Sequence, residues 1–324
     1  MWILVVAAAI LLASFLAWMI CIRMPGRSHR GALPPATEAQ GALEGELRRD
    51  VMTLAGEIGE RSVLRPEAQR RAAEWIEASL RAAGLEPSIQ DGNVAVEIRG
   101  SRLPGEIVIV GGHYDSVAGS PGANDNATGV AATLALARRF ARAVPERTLR
   151  FLAFANEEPP TFQTDSMGSR IDARACRERK EDIVAMLSLE TLGCYSDEPR
   201  SQQYPIPLLR LVYPDRGDFV TFVGNLSSGS LVRRAIGTFR EHASFPSEGA
   251  SLPAWIPGVD WSDHASYWRE GYPAIMVTDT AIFRDPRYHT PYDRTEFVDS
   301  ERLARVVEGI AAVVEDLAGP FPPR

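Results

Sequence analysis

Short runs of aliphatic and aromatic residues alternate with helically spaced apolar residues along most of this chain. The short runs are typical of buried strands and predict strands over 93–99, 106–110, 149–154, 183–189, 219–223 and 273–277. Apolar residues that recur every three or four positions predict helices over 43–54, 66–83, 127–140, 231–241 and 301–317. Because continuous apolar strands alternate with amphipathic helices, we expect an α/β fold whose mainly parallel sheet is covered by helices on both faces.

The first residues differ from the rest of the chain. Residues 2–22 are apolar apart from Ser14, and a helix of about 20 such residues is long enough to cross a bilayer. No Lys or Arg precedes the run and no small-x-small cleavage site ends it, so an uncleaved anchor is favoured over a signal peptide. We predict a single-pass transmembrane helix over residues 1–23 and membrane contact through it. Positive charge after the run favours a cytoplasmic domain: Arg23, Arg27 and Arg30.

Two further segments follow this predicted anchor. Residues 24–42 are rich in Pro and Gly and predict a flexible linker. Residues 43–324 predict one folded domain, in which 195–218 form a long loop. This loop and the segment 255–261 are candidate walls of a specificity pocket.

Composition narrows the range of partners. The net charge of -7, without a basic stripe, argues against nucleic acid as a partner. Cys21, Cys176 and Cys194 are too few to form a disulfide framework, and free thiols are favoured, although a bridge between the last two stays open. The sequence does not determine the oligomeric state.

Metal-ligating residue types follow several predicted strands. In open α/β sheets, ligands bind outside the carboxyl ends of the strands, so side chains that follow different strands are expected to meet there. The residues at these positions are His113 and Asp115, then Asn156, Glu157 and Glu158, then Glu190, and finally Asp279 with His289.

Two of these stretches are ambiguous when taken alone. The residues around His113 and Asp125 fit either a metal site or a hydrogen-bonded loop, because Gly, Asn and Asp also form turns. The adjacent Glu157 and Glu158 fit an acidic turn, or a pair in which one carboxylate binds metal and the other takes a proton from water. Their expected convergence with His289, the second histidine among these positions, favours a metal site.

Together these motifs resemble the M28 family of zinc peptidases. The resemblance spans about residues 90–300 and is carried by Gly112-His113-Tyr114-Asp115-Ser116, Gly122-Ala123-Asn124-Asp125-Asn126-Ala127-Thr128-Gly129, Asn156-Glu157-Glu158, Leu189-Glu190, Ser262-Asp263-His264 and His289-Thr290. It implies a mixed sheet of about eight strands between helices, and two bound Zn²⁺ ions.

The resemblance also implies a ligand for each metal position. Asp125 is similar to the carboxylate that bridges the two metals. His113 and Glu190 would bind one metal, and Glu158 and His289 would bind the other. Many family members carry Asp where this chain has Glu190, so occupancy of that site, and thus one or two zinc ions, stays open.

Further roles follow from the same resemblance. Glu157 corresponds to the general base and acid of catalysis. Asp115 corresponds to the carboxylate that orients the neighbouring metal-binding histidine, as ligating histidines usually donate their other N–H to an acceptor. Asp263 and His264 would support the site, contact substrate or stabilise an oxyanion.

The function implied is zinc-dependent hydrolysis of peptide bonds in a peptide or aminoacyl substrate, most simply as an aminopeptidase. One alternative is a glutaminyl cyclase-like acyltransferase with a single zinc ion. Another is a catalytically inactive, receptor-like binding module. Family analogy favours an exported catalytic domain, in contrast to the arginines after the predicted anchor.

Overall fold

The computed structural model describes residues 18–319, together with Trp2, Val6 and Phe15. Its strands are β1 (Ser88–Gln90), β2 (Asn93–Ile98), β3 (Leu103–His113), β4 (Arg147–Phe154), β5 (Asp182–Glu190), β6 (Val220–Gly224), β7 (Ser247–Ser251) and β8 (Ala274–Thr278). The α-helices that follow residue 37 in this part of the chain are α1 (Glu38–Val51), α2 (Pro66–Ala82), α3 (Thr128–Phe140), α4 (Gly168–Glu178), α5 (Gly229–His242), α6 (His264–Arg269) and α7 (Ser300–Ala318).

The eight strands form one mixed sheet in the order β1-β2-β4-β3-β5-β8-β6-β7. The pairs β3/β4, β3/β5, β5/β8 and β6/β7 are parallel, and the pairs β1/β2, β2/β4 and β6/β8 are antiparallel. The expected mixed sheet of about eight strands is confirmed. Because β3, β5 and β8 are parallel neighbours, their carboxyl ends lie at one edge of the sheet.

Helices cover both faces of the sheet, as the sequence predicts. Side chains of α1, α2, α3, α5 and α7 contribute to the larger apolar core, and those of α4 and α6 to a smaller one on the opposite face. Helix α3 is rich in Ala and is buried along most of its length, which lets it pack closely against the central strands. Helix α7 buries its predicted apolar stripe, which includes Leu303, Val306 and Ile310.

Two edge strands were not predicted from the sequence. Strand β7 has the sequence Ser-Glu-Gly-Ala-Ser and β1 is three residues long, so neither contains an apolar run. Both are defined by backbone pairing with one neighbour, β1 with β2 and β7 with β6.

The prediction of a transmembrane anchor over residues 1–23 is wrong on the structural finding. Within the described part of the chain, no helix combines the length and apolar character required to cross a membrane. The expected membrane contact and the single-pass localisation, on which the side assigned to the catalytic domain depended, are corrected with it. Most of residues 1–17 lie outside the described residues.

The segment predicted as a linker contacts the folded domain. Ser28 Oγ accepts a hydrogen bond from Ser247 N on β7, and Pro25 O accepts one from Arg240. Helix α1 begins at Glu38, inside the predicted 24–42 range. The boundaries 24–42 and 43–324 stay predictions. All three cysteines are free thiols, so Cys176 and Cys194 do not pair.

Candidate metal centre

Two strands and three loops bring the predicted ligands together. His113 is the last residue of β3 and Glu190 is the last residue of β5. Asp125 lies in the turn before α3, where Gly122 adopts a left-handed φ of 62°. A Cβ on Gly122 would lie 2.4 Å from Asp125 O, so only glycine lets the chain turn this tightly beside the ligand. Glu158 follows β4.

The first group of possible ligands surrounds His113 Nε2. This nitrogen lies 3.3 Å from Asp125 Oδ1 and 3.3 Å from Glu190 Oε2. All three side chains are buried, and one donor atom of each lies within 4.8 Å of the others. The arrangement offers one imidazole and two carboxylates to a single ion.

The second group surrounds His289 Nε2. It lies 3.0 Å from Asp125 Oδ2 and 3.3 Å from Glu158 Oε2. Asp125 therefore faces both groups with different oxygens, as a bridging carboxylate must. The ring of Tyr288 stacks on His289 with the centroids 3.9 Å apart.

The residues of both groups fit a divalent zinc ion. Histidine and carboxylate are ordinary zinc ligands. Glu158 Oε1 is buried and has no hydrogen-bond partner among the described residues. Leaving a buried carboxylate oxygen unpaired is costly unless a cation or proton neutralises it.

The pKa shifts of Glu158 and His289 also indicate that a cation would stabilise the second group. Burial, followed by the charge of Asp125, raises the pKa of Glu158 to about 7. Burial opposes protonation of His289, but its contacts with Asp125 and Glu158 outweigh this and raise its pKa to about 10. A bound cation would take the place of these protons.

Glu157 lies beside the cluster but belongs to neither group. Its side chain is buried, and its Oε2 lies 3.8 Å from His113 Nε2. Burial raises its pKa well above the usual carboxyl value, and the charges of Glu158 and Glu190 act in the same direction. A carboxyl group with a raised pKa, next to a metal site, is suited to exchange protons near neutral pH.

Asp115 connects three parts of the cluster. Its Oδ1 accepts a hydrogen bond of 3.0 Å from Glu157 N, and its Oδ2 accepts one of 3.0 Å from Glu158 N. Oδ1 also lies 3.4 Å from His113 Nδ1. The Asp115 carboxylate thus fixes the backbone of Glu157 and Glu158. It also lies next to His113, where the resemblance places it.

We predict that Asp115→Asn weakens zinc binding by about 10- to 100-fold, because an amide replaces one acceptor oxygen by a donor that faces a backbone N–H. Competition with a chromophoric chelator measures the affinity. Asp182→Asn, at an exposed carboxylate that begins β5, is the matched control. Equal affinity in Asp115→Asn and wild type would show that Asp115 does not hold the ligands.

Asp293 and Arg61 also support the site, and the sequence analysis did not identify them. Asp293 Oδ1 and Oδ2 accept hydrogen bonds of 2.7 and 3.0 Å from the backbone amides of Asn124 and Asp125. Arg61 is fully buried and donates to backbone carbonyls on both sides of the 114–122 loop: Leu54, Gly59, Tyr114, Pro121 and Gly122. No motif in the sequence indicates the roles of Arg61 and Asp293, because the partners named here are all backbone atoms.

We predict that Arg61→Met lowers the free energy of unfolding by roughly 3 kcal/mol or more, because several buried carbonyls lose their donors together. Urea unfolding of chelator-treated protein measures this without a contribution from bound metal. Arg65→Met, at an arginine whose side chain is 65% exposed, should change stability by no more than about 0.5 kcal/mol. Similar stability of the two variants would contradict a structural role for Arg61.

The remaining predicted residues lie behind the cluster. Ser262 Oγ donates to Glu190 Oε2 at 2.8 Å, which places the Ser262-Asp263-His264 motif against the first group. Asp263 is fully buried, and burial raises its pKa to about 7. His264 lies 2.8 Å from Val259 O through Nε2, and burial lowers its pKa to about 4. His264 is therefore a neutral imidazole that contacts backbone. Asp279 is also behind the cluster, where it accepts from Asn124 Nδ2 and Cys194 N.

A cavity of about 110 Å³ opens beside the cluster. Glu190 and Tyr288 line its inner end, and its walls are mostly aromatic and aliphatic. The walls include residues of the 195–218 and 255–261 segments, such as Leu209 and Ile256. Pockets that take a drug-sized ligand measure roughly 300 Å³ or more, so this volume suits a single side chain.

An α/β sheet with a cluster of histidine and carboxylate side chains at the carboxyl ends of its strands is typical of metal-dependent hydrolases. The sequence profile of Peptidase family M28 matches residues 93–314, more than half of the chain. The chain belongs to this family of zinc metallopeptidases, which confirms the resemblance found in the sequence. Zinc-dependent peptide hydrolysis is established at the level of the family.

Two relatives are similar to this chain over most of its length. The uncharacterized Escherichia coli (strain K12) protein YfbL is 35% identical over 96% of this chain and 98% of its own length. A probable zinc metalloprotease of Leptosphaeria maculans is 27% identical over 66% of the chain, and the chain spans about half, 54%, of that relative.

Solved structures share the fold. The zinc aminopeptidase BSAP of Bacillus subtilis has a TM-score of 0.67 and 17% identity, with 89% of this chain and 96% of that chain covered. A glutaminyl cyclase of Fimbriiglobus ruber has a TM-score of 0.61 and 16% identity, with 89% of this chain and 97% of that chain covered. At these identities the likeness concerns the fold alone.

Proposed function

We propose that this protein is an aminopeptidase that uses two zinc ions. The observation that carries the proposal is the one-side-chain cavity that opens directly at the metal cluster. Its lining residues include the carboxylates Glu190 and Glu248 and contain no Arg or Lys. An α-carboxylate would need a cationic partner, and no Arg or Lys lines this cavity, whereas the α-ammonium of a peptide N-terminus meets no like charge there.

The two-ion assignment rests on the shared aspartate. His113, Asp125 and Glu190 would hold one ion, and Asp125, Glu158 and His289 would hold the other. Glu190 has its carboxylate within reach of His113 Nε2, so the longer side chain still completes the first group.

The reaction follows from what surrounds the cluster. Bound zinc supplies activation of water and polarisation of the scissile carbonyl. Glu157 accepts a proton from the attacking water and then donates it to the nitrogen of the leaving amine. Asp115 holds Glu157 and Glu158 in position through their backbone amides. The cavity beside the cluster, whose walls are mostly apolar, positions the N-terminal side chain.

Glutaminyl cyclase chemistry is the second candidate, favoured by the shared fold and by the Glu190 position. A cyclase would need one metal ion and would convert an N-terminal glutamine without cleaving a peptide bond. The complete set of ligands for two ions favours the peptidase. The same complete set, with Glu157 beside it, also weighs against an inactive binding module.

Mass spectrometry of peptide products tests the proposal. We expect stepwise loss of N-terminal residues from a peptide with a free N-terminus, no cleavage of the N-acetylated peptide, and loss of activity on chelation. Internal cleavage, or cleavage of the acetylated peptide, would rule out an aminopeptidase. Loss of ammonia from a glutamine-initiated peptide, without hydrolysis, would identify a cyclase instead.

A further inference from the structure

One row of residues crosses the sheet from the metal cluster to the far end of the cavity. Glu190 on β5 pairs in register with Thr278 on β8, Thr278 with Thr221 on β6, and Thr221 with Glu248 on β7. Residues paired in register point to the same face of a sheet. All four line the cavity, so its floor is a polar row.

The walls around this floor are apolar. In the next row on the same face, the residues that line the cavity are Met276, Val223 and Ala250, and the cover includes Phe219 and Tyr213. Adjacent strands lie about 4.8 Å apart, so the β7 end of the row is about 14 Å from the β5 end. A short side chain that enters beside Glu190 ends near Thr278. Only a long one extends toward Thr221 and Glu248.

The hydroxyl group in the polar row next to Glu190, that of Thr278, already has hydrogen-bond partners. Thr278 Oγ1 lies 3.0 Å from Thr191 Oγ1 and accepts a hydrogen bond of 2.8 Å from Thr280 N. Thr221 Oγ1, in contrast, is buried and has no hydrogen-bond partner among the described residues. A buried hydroxyl without a partner costs free energy, so this atom calls for a polar group from a ligand.

Glu248 is the second group in need of a partner. Its side chain is 21% exposed, and Arg240 Nη2, at 3.8 Å from Glu248 Oε2, is the one described cation within 4 Å. Arg240 is already engaged, since it donates to Ser247 O, Ser247 Oγ and Pro25 O. Burial raises the pKa of Glu248 to about 7 against the opposing charges of Arg240 and the more distant Arg30. A cation inside the cavity would stabilise this carboxylate.

We propose that the cavity selects an N-terminal residue with a long apolar stem and a cationic end, as in lysine, and that Glu248 and Thr221 bind that end. The apolar walls pack against the methylene groups, and the ammonium donates to the Glu248 carboxylate and the Thr221 hydroxyl. The inference rests on the proposed aminopeptidase function, because it assigns the cavity to the N-terminal residue.

Calorimetric binding of two amides to the zinc-loaded full chain tests the proposal. L-lysinamide and L-norleucinamide share the same four-carbon stem and differ in the terminal ammonium. We expect L-lysinamide to bind about tenfold more tightly or better, the effect of one charge-assisted hydrogen bond. Glu248→Gln should remove most of this preference, and Thr221→Val should reduce it. Glu241→Gln, at an exposed glutamate of α5, should keep it.

Three results would overturn the proposal: equal or tighter binding of L-norleucinamide to wild type, a preference that survives in Glu248→Gln, or failure of both amides to bind. Binding is read without turnover, so it separates this inference from the proposed function. A preference for L-lysinamide in a protein that cleaves no peptide would contradict the aminopeptidase assignment and leave the specificity assignment supported.

Discussion

Glu157→Gln is expected to lower kcat by about 10²- to 10⁴-fold, the usual contribution of a positioned general base. Glutamine keeps the shape of the side chain but cannot accept the proton of water. Because Glu157 belongs to neither group of possible ligands, zinc content should remain at the wild-type level. Turnover of an aminoacyl-anilide, with zinc measured on the same sample by mass spectrometry, checks both statements.

Glu178→Gln provides the matched control for this variant. Glu178 is an exposed residue at the end of α4, so the same chemical change there should leave both turnover and zinc content unchanged. Wild-type turnover in Glu157→Gln would eliminate Glu157 as the base. Loss of zinc along with turnover would instead make it a ligand.

Asp125→Asn is expected to abolish activity and to reduce bound zinc below one ion per chain. Asp125 presents Oδ1 to His113 and Oδ2 to His289, so one substitution affects both groups. Asparagine offers a single carbonyl oxygen and no charge, which leaves two metal positions with weakened ligand sets.

A comparison with His289→Ala sharpens this prediction. That variant removes a ligand from the second group only, so it should retain about one zinc ion while Asp125→Asn retains less. Zinc content after dialysis against a fixed free-zinc buffer measures the difference. Equal retention in the two variants would contradict a bridging role for Asp125.

The convergence of the candidate ligands could be predicted from the sequence because parallel strands bring their carboxyl ends to one edge of the sheet. His113 and Glu190 end neighbouring strands β3 and β5, and Glu158 follows β4 on the other side of β3. Residue type and position relative to an apolar run were therefore sufficient to bring these side chains together. His289 and Asp125 lie on loops, and they were assigned through the motifs around them.

The supporting residues could not be predicted because their partners are backbone atoms distant in the chain. Asp293 holds the amides of Asn124 and Asp125 across more than 160 positions, and Arg61 reaches carbonyls up to 61 positions away. Neither contact leaves a periodic pattern or a residue pair to recognise. They depend on the assembled fold.

Strand β7 and the position of Glu248 within it also could not be predicted from the sequence. Its five residues contain no apolar run, yet they pair fully with β6. The position of Glu248 opposite Thr221 follows from this register. The polar row that underlies the proposed lysine preference therefore could not be predicted without the strand order and register.

Anomalous diffraction at the zinc edge, from crystals grown with zinc, tests the central claim most directly. The account predicts two peaks in total, one on each side of Asp125. One should lie next to His113 and Glu190, and the other next to Glu158 and His289. A single peak would contradict the two-ion assignment. The absence of a peak at this cluster in zinc-loaded protein would contradict the proposed metal centre as a whole.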